Sequence, residues 1–293
     1  MQNRRTGLTA SWLLLLTVLQ VLAFIALLRF AVHTRHGQLL DTIALTGNSI
    51  GQDEIAGLVS NVLNAMSVVS LVAAIAVIGF IALARRRVAL AVIATLLVAG
   101  ANVTVQALKY VIVRPDLGVD PERAAAGNSL PSGHTAIAAS VAAALVLVLP
   151  PKARAWGALL GTAYTALAGV ATLSAGWHRP SDAVASLLVV GAWTSVAGLL
   201  LLRSQGDTAQ AEPRDAHRVA RIALLLIGMA LLGVAALAVH RTNAVLSIPP
   251  DELSRNRLLV AYGGSAAGIT GAASVMMALV LARVHRVVPA NPG

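Results

Sequence analysis

The chain alternates long apolar stretches, which carry few charges, with short polar ones. The apolar stretches cover residues 11–32, 58–84, 88–113, 134–150, 155–176, 181–202, 219–240 and 258–282. An α-helix needs about 18 or more apolar residues to cross the hydrocarbon core of a bilayer, and most of these stretches reach that length. Membrane β-strands would instead alternate over about ten residues. The pattern therefore predicts an all-α protein, a polytopic membrane bundle of eight helices.

The polar stretch "RSQGDTAQAEPRDAHR" interrupts this series after the sixth apolar run. We predict a six-helix membrane core over residues 1–202, a cytoplasmic linker over residues 203–218, and two additional transmembrane helices with a short tail over residues 219–293. Between the first two runs, "HTRHGQLLD" places His33 and His36 at helical spacing. Because no third ligand is evident for a metal, we interpret this segment as a solvated loop.

The composition supports a membrane protein, because 57% of the residues are hydrophobic and only 12% are charged. A soluble domain carries about 25% charged residues. The chain has no cysteine, which excludes disulfides, thiolate zinc sites and cysteine nucleophiles. High usage of alanine, valine, leucine and arginine suggests a bacterial source with a GC-rich genome.

The net charge of +10 raises nucleic acid as a possible partner, but the positions of the charges argue against it. With a cytoplasmic N-terminus, the inner side holds 13 of the 22 lysines and arginines and three of the 12 acidic residues. The positive excess then lies entirely on the inner side, as the positive-inside rule requires. We therefore expect no nucleic acid, and a multi-pass protein of the cell membrane with both termini in the cytoplasm.

Three polar clusters lie at the outer helix ends on this topology. The segment "LKYVIVRP" ends the third apolar run, "NSLPSGHTAI" begins the fourth, and "SAGWHRPSD" joins the fifth to the sixth. The candidate functional residues in these clusters are Lys109, Arg114, Ser132, Gly133, His134, His178, Arg179 and Asp182. Because all three clusters fall on one side of the membrane, we predict a single site that faces outside.

His178 and Asp182 are four residues apart, and Pro180 suits the first turn of a helix that begins there. Residues at this spacing share a helical face, so the carboxylate lies close to the imidazole. A carboxylate bound to one ring nitrogen fixes the tautomer and leaves the other nitrogen free as a nucleophile. The alternative is an interfacial histidine beside an aspartate that only caps the helix.

The stretch from Ser132 to His134 precedes a helix start, where free backbone N–H groups favour an anion. His134 would stand beside that anion as a proton donor, and Lys109 and Arg114 would supply cations. Cations near hydrocarbon are costly and usually functional. The alternatives are a simple helix cap at Ser132 and lysine and arginine side chains that extend towards water.

These clusters resemble the three signatures of the type 2 phosphatidic-acid phosphatase superfamily, the integral-membrane lipid phosphatases. "PSGH" and "HRPSD" resemble its second and third signatures, and Lys109 with Arg114-Pro115 resembles its first. The resemblance covers about residues 10 to 202. It implies a six-helix membrane core and phosphatase chemistry that needs no metal and no cofactor.

The resemblance also implies a role for each matching residue. His178 would attack phosphorus and become a phosphohistidine, Asp182 would orient it, and His134 would protonate the leaving group. The phosphoryl oxygens would be bound by the remaining matched groups, which are Lys109, Arg114, Ser132 and the backbone of Gly133.

Two positions depart from the family pattern. Only four residues separate Lys109 from Arg114, where the family has six, and Thr172 stands where the family has an arginine. Arg179 or Arg123 could replace that missing cation. If neither arginine replaces it, the pocket favours a substrate whose charge differs from that of the family's substrates.

The leading hypothesis is a metal-independent phosphatase that hydrolyses a polyprenyl diphosphate or a glycerophospholipid phosphate at the outer leaflet. One alternative is a phospho-group or headgroup transferase on the same fold, in which an alcohol replaces water. The other is a catalytically weakened protein that binds phospholipids. The expected partners are a phosphorylated lipid and the bilayer, and the sequence does not specify an oligomeric state.

Overall fold

The computed structural model of this protein describes residues 2–50, 52–64, 68–84, 86–120, 127–205 and 217–287. These residues form ten α-helices and two short 3-10 turns, with no strand in the described ranges. The helices are α1 Gln2–Ala31, α2 Arg35–Thr46, α3 Gln52–Asn64, α4 Val68–Ala84, α5 Val88–Val111, α6 Gly133–Val148, α7 Pro151–Ser174, α8 Pro180–Gln205, α9 Arg218–Asn243 and α10 Arg255–Val287.

Six of these helices, α1, α5, α7, α8, α9 and α10, are long and apolar enough to cross a membrane. Parts of α4 and all of α6 are shorter apolar helices, at residues 72–84 and 133–148. The prediction of an all-α, polytopic membrane bundle is therefore confirmed.

Two regions differ from the helices that the sequence predicts. The apolar run 58–84 is divided between α3, which ends at Asn64, and α4, which begins at Val68, and residues 65–67 lie outside the described ranges. The interpretation of the segment after α1 as a solvated loop is wrong, because α2 forms there. Thr34 caps this helix by accepting a hydrogen bond from the backbone N–H of Gly37. His33 and His36 are exposed, as a solvated segment requires.

The alanine-rich helix α6 lies at the centre of the bundle and packs against α4, α5, α7, α8 and α10. Its residues Ala136, Ala138, Ala139 and Ala143 are completely buried. Small side chains allow helices to approach closely, which favours association in a membrane. The ends of the neighbouring helices are thereby held around the first turn of α6.

The last two helices pack against each other and also against the rest of the bundle. In α10, the Tyr262 hydroxyl is 2.6 Å from Ser174 Oγ at the end of α7. Arg283, near the other end of α10, donates to the carbonyl oxygen of Gly191 in α8 at 3.2 Å. Most of the predicted linker, residues 206–216, lies outside the described ranges. The division into a core, a linker and an additional helix pair stays a prediction.

Glycines set the distance between α9 and α10. A Cβ atom on Gly271 would lie 2.9 Å from the carbonyl oxygen of Gly228 and 3.0 Å from the backbone nitrogen of Leu232. Real Cβ atoms essentially never lie so close to another backbone. A side chain at this position therefore forces the two helices apart.

We expect Gly271→Val to lower the free energy of unfolding by about 1–3 kcal/mol, the usual cost of overpacking. Thermal unfolding in detergent measures this change. Gly233→Ala in α9 is the control, because a Cβ there has no atom within 4 Å. The control should be neutral or stabilising, since alanine favours a helix over glycine by about 1 kcal/mol. Equal melting temperatures for the two variants would contradict the packing argument.

Candidate active site

The starts of α6 and α8 are joined by hydrogen bonds to backbone carbonyl oxygens. The N–H of Ser132 donates to the carbonyl oxygen of Asp182 at 2.9 Å. The hydroxyl of Ser186, one turn further along α8, donates to the carbonyl oxygen of Ser132 at 2.7 Å. These bonds place the two predicted histidine clusters side by side at one end of the bundle.

The carboxylate of Asp182 is fully buried and accepts three hydrogen bonds at one oxygen. Its Oδ2 lies 3.2 Å from Nδ1 of His178, 3.0 Å from the backbone nitrogen of Arg179 and 2.6 Å from the hydroxyl of Ser129. A neutral histidine that donates from Nδ1 to a carboxylate has Nε2 free of its proton. The pair therefore has the geometry that a histidine nucleophile requires.

The guanidinium of Arg114 lies against the other oxygen of the same carboxylate. Its Nη2 is 3.6 Å from Asp182 Oδ1, and its side chain is only 2% exposed. None of its three nitrogens has a hydrogen-bond partner among the described residues. Burial lowers the pKa of Arg114, and the positive charge of Arg179 lowers it further. Buried donors without partners are costly, so this side chain is suited to an anion that completes its hydrogen bonds.

Lys109 and the first turn of α6 face each other. The Nζ of Lys109 lies 3.8 Å from the position that a Cβ on Gly133 would occupy. The hydroxyl of Ser132 caps α6, because it accepts hydrogen bonds from the N–H and the hydroxyl of Thr135. The structure thus gives Ser132 a capping role, and it leaves the amine of Lys109 beside the helix start.

His134 lies in the first turn of α6 and is close enough to His178 and Lys109 for their charges to act on it. Its ring centroid is 5.5 Å from that of Trp177, with the two rings tilted by 47°. The indole of Trp177 is about half-exposed. The structure therefore brings His134, His178, Asp182, Lys109 and Arg114 together, whereas their catalytic roles stay predictions.

Arg179 and Thr172 clarify the departure from the family pattern. Nη2 of Arg179 lies 3.6 Å from Asp120 Oδ2, so this guanidinium already faces a carboxylate. The hydroxyl of Thr172 donates to the carbonyl oxygen of Gly169, and its carbonyl oxygen accepts from the backbone N–H of His178. Thr172 therefore shapes the turn before His178 and supplies no cation. Arg123 lies outside the described ranges.

Several residues of this site are not evident from the sequence. Ser129 contacts Asp182, and Asp120 contacts Arg179. In each pair, more than 50 positions of the sequence separate the two residues. Gln38 and Asp41 of α2 are buried polar residues that also reach the site end of the bundle. Their spacing of three residues on one helical face is the signal that could have revealed them.

Comparison with known proteins agrees with the three clusters. Residues 89–207, which form α5 to α8 and contain all the predicted site residues, match the family model described as PAP2 superfamily. This match supports the resemblance of the segment to the type 2 phosphatidic-acid phosphatase superfamily. No curated protein and no solved structure gave a significant match.

The match to this family supports a phosphatase-type activity on phosphorylated substrates, and the six long apolar helices indicate a multi-pass membrane protein. The described residues contain no group of three or more histidines and acidic residues that could hold a metal ion. The expected independence from metals stays a prediction.

We expect Arg114→Ala to weaken the binding of orthovanadate at least about tenfold, since hydrogen bonds to a charged group contribute about 1.5–3 kcal/mol each. Calorimetric titration of the detergent-solubilised protein measures the dissociation constant. Arg241→Ala is the control, because Arg241 is an exposed arginine near the end of α9. Unchanged binding in Arg114→Ala would exclude this side chain as a phosphate ligand.

Proposed function

We propose that the protein is a metal-independent lipid phosphatase that forms a phosphohistidine at the outer face of the cell membrane. The observation that carries this proposal is the His178–Asp182 pair beside the buried guanidinium of Arg114, whose nitrogens have no hydrogen-bond partner among the described residues. A nucleophile and an anion-binding group therefore lie against the two oxygens of one carboxylate.

In the first step, Lys109, Arg114 and the backbone N–H of Gly133 hold the phosphoryl oxygens. Nε2 of His178 attacks phosphorus, and the bond from phosphorus to the leaving oxygen breaks. His134 gives its proton to that oxygen, so that the product leaves as a neutral alcohol or a protonated phosphate. Fixed cations and N–H groups stabilise the charge that spreads over the equatorial oxygens.

In the second step, water hydrolyses the phosphohistidine. The imidazole of His134, which has lost its proton, accepts one from the attacking water. The bond from phosphorus to Nε2 of His178 breaks, and inorganic phosphate leaves. Asp182 keeps the ring of His178 in one orientation throughout, because it accepts from Nδ1 in both steps.

The proposed substrates are a polyprenyl diphosphate or a glycerophospholipid phosphate. Their phosphate groups lie at the membrane surface, at the same level as the ends of the long apolar helices that carry the site. The distribution of positive charge in the sequence supports cytoplasmic termini and a site that faces outside. A screen of phosphate release against both lipid classes tests the assignment.

The second candidate is a catalytically weakened protein that binds phospholipids, and a specific observation favours it. Arg179, which could have replaced the family arginine at position 172, faces Asp120. The site would then have one phosphate-binding cation fewer than the family pattern, and it could bind a lipid phosphate without hydrolysing it.

The two histidines should differ in their effects. His178→Ala removes the nucleophile, so phosphate release should fall to background and no phosphoenzyme should be trapped after an acid quench. His134→Ala removes only the proton donor, which is typically worth about 10²–10⁴-fold. The loss of activity in His134→Ala should be smaller with p-nitrophenyl phosphate, because the p-nitrophenolate leaving group needs little protonation. A phosphoenzyme that is still trapped in His178→Ala but not in His134→Ala would reverse the assigned roles. Small, equal losses of activity in the two variants would favour the phospholipid-binding candidate.

Chelation separates this mechanism from a metal-assisted one. We expect EDTA to leave phosphate release nearly unchanged, because side-chain cations and helix N–H groups neutralise the phosphate. Orthovanadate should inhibit the same preparation. Complete loss of activity in EDTA, restored by a divalent cation, would overturn the proposed mechanism.

A further inference from the structure

Helix α2 lies outside the segment that matches the family, but it contacts two parts of the active site. Nε2 of Gln38 donates to the carbonyl oxygen of Pro115 at 3.0 Å and to that of Val32 at 2.8 Å. The carboxylate of Asp41 accepts from the backbone N–H of Ser181 at 3.3 Å, and it also accepts a short hydrogen bond from the hydroxyl of Ser181. One face of α2 therefore joins the segment after α5, which carries Arg114 and Pro115 (the Arg114 loop), to the first turn of α8.

Each of these contacts lies next to a residue of the proposed mechanism. Pro115 directly follows Arg114, the buried phosphate-binding candidate. Ser181 directly precedes Asp182, and both belong to the turn that begins α8 after His178. A shift of either backbone segment would change the distance between the phosphate-binding guanidinium and the nucleophile.

A buried carboxylate at this place is costly, which argues that it has a use. Asp41 is 7% exposed, and burial, with the negative charge of Asp182, raises its pKa to about 6. The hydrogen bond from Ser181 and the positive charges of Arg114 and Arg179 act in the opposite direction. An apolar residue would fill the same space without this cost.

We propose that α2 is a positioning element of the active site, in which Asp41 fixes the first turn of α8 and Gln38 fixes the loop that carries Arg114. The inference rests on the proposed phosphatase function for its kinetic test. Asp41 acts through Ser181, and Gln38 acts through Pro115, so neither residue needs to touch the substrate.

The two residues should have different kinetic effects. Asp41→Ala should lower kcat about tenfold or more with little change in KM, because it releases the turn that holds the nucleophile. Gln38→Ala should mainly raise KM and the inhibition constant of orthovanadate, because it releases the Arg114 loop. Arg35→Gln is the control on the same helix, since Arg35 is exposed, and it should resemble the wild type.

A double-mutant cycle tests the contact itself. If Asp41 acts through Ser181, the pair Asp41→Ala and Ser181→Ala should lose no more activity than the more damaging single variant. Additive losses would overturn the proposal, and so would wild-type kinetics in Asp41→Ala.

The variant Asp41→Asn separates positioning from stability. Ionisation of a group whose pKa is raised on folding lowers stability, here as the pH rises from 3.8 to about 6. At pH 8 the variant should therefore melt no lower than the wild type. Its kcat should match the wild type at pH 5, where Asp41 is protonated, and fall below it above pH 6, where the ionised carboxylate holds Ser181. A kcat ratio that does not depend on pH would contradict the role of the charge.

Failure of this inference can be told from failure of the proposed function. If the wild type releases no phosphate from any lipid, the proposed function fails, and orthovanadate binding still tests the role of α2. Gln38→Ala should weaken that binding relative to Arg35→Gln, and equal binding in these two variants would overturn the inference.

Discussion

The site depends on the burial of one carboxylate. Asp182 is completely removed from solvent, which is costly for a charge unless hydrogen bonds and opposite charges surround it. The groups that surround it come from separate parts of the chain: Arg114 after α5, Ser129 before α6, and His178 and Arg179 before α8. The same interactions that make the buried charge tolerable therefore bring the proposed nucleophile and the proposed phosphate-binding group together.

Around this carboxylate the charges nearly balance. Arg114 and Arg179 lie among Asp41, Asp120 and Asp182, so little of their positive charge is left uncompensated. Lys109 lies apart from these groups, beside the start of α6. In the proposed function, such a site recognises phosphate through the geometry of its donors more than through an excess of positive charge.

The sequence predicts most of the bundle but only part of the site. Apolar runs of membrane length identify the spans, and the spacing of His178 and Asp182 predicts their contact, because both signals are local. Helix α2 is missed because a twelve-residue helix with polar residues resembles a loop. Its buried Asp41 is explained by a contact with Ser181, which lies 140 positions further along the chain. Ser129 and Asp120 are missed for the same reason, since only tertiary structure places them beside their partners.

The hydrogen bond between Tyr262 and Ser174 has a consequence for biogenesis. The ribosome delivers α7 well before α10, and parts of a chain that are made first can fold first. The end of α7, which precedes the turn that carries His178, gains this anchor only after α10 has been synthesised. The proposed nucleophile is thus made before one of the contacts that hold its surroundings can form, and this part of the candidate site is complete only once α10 has packed.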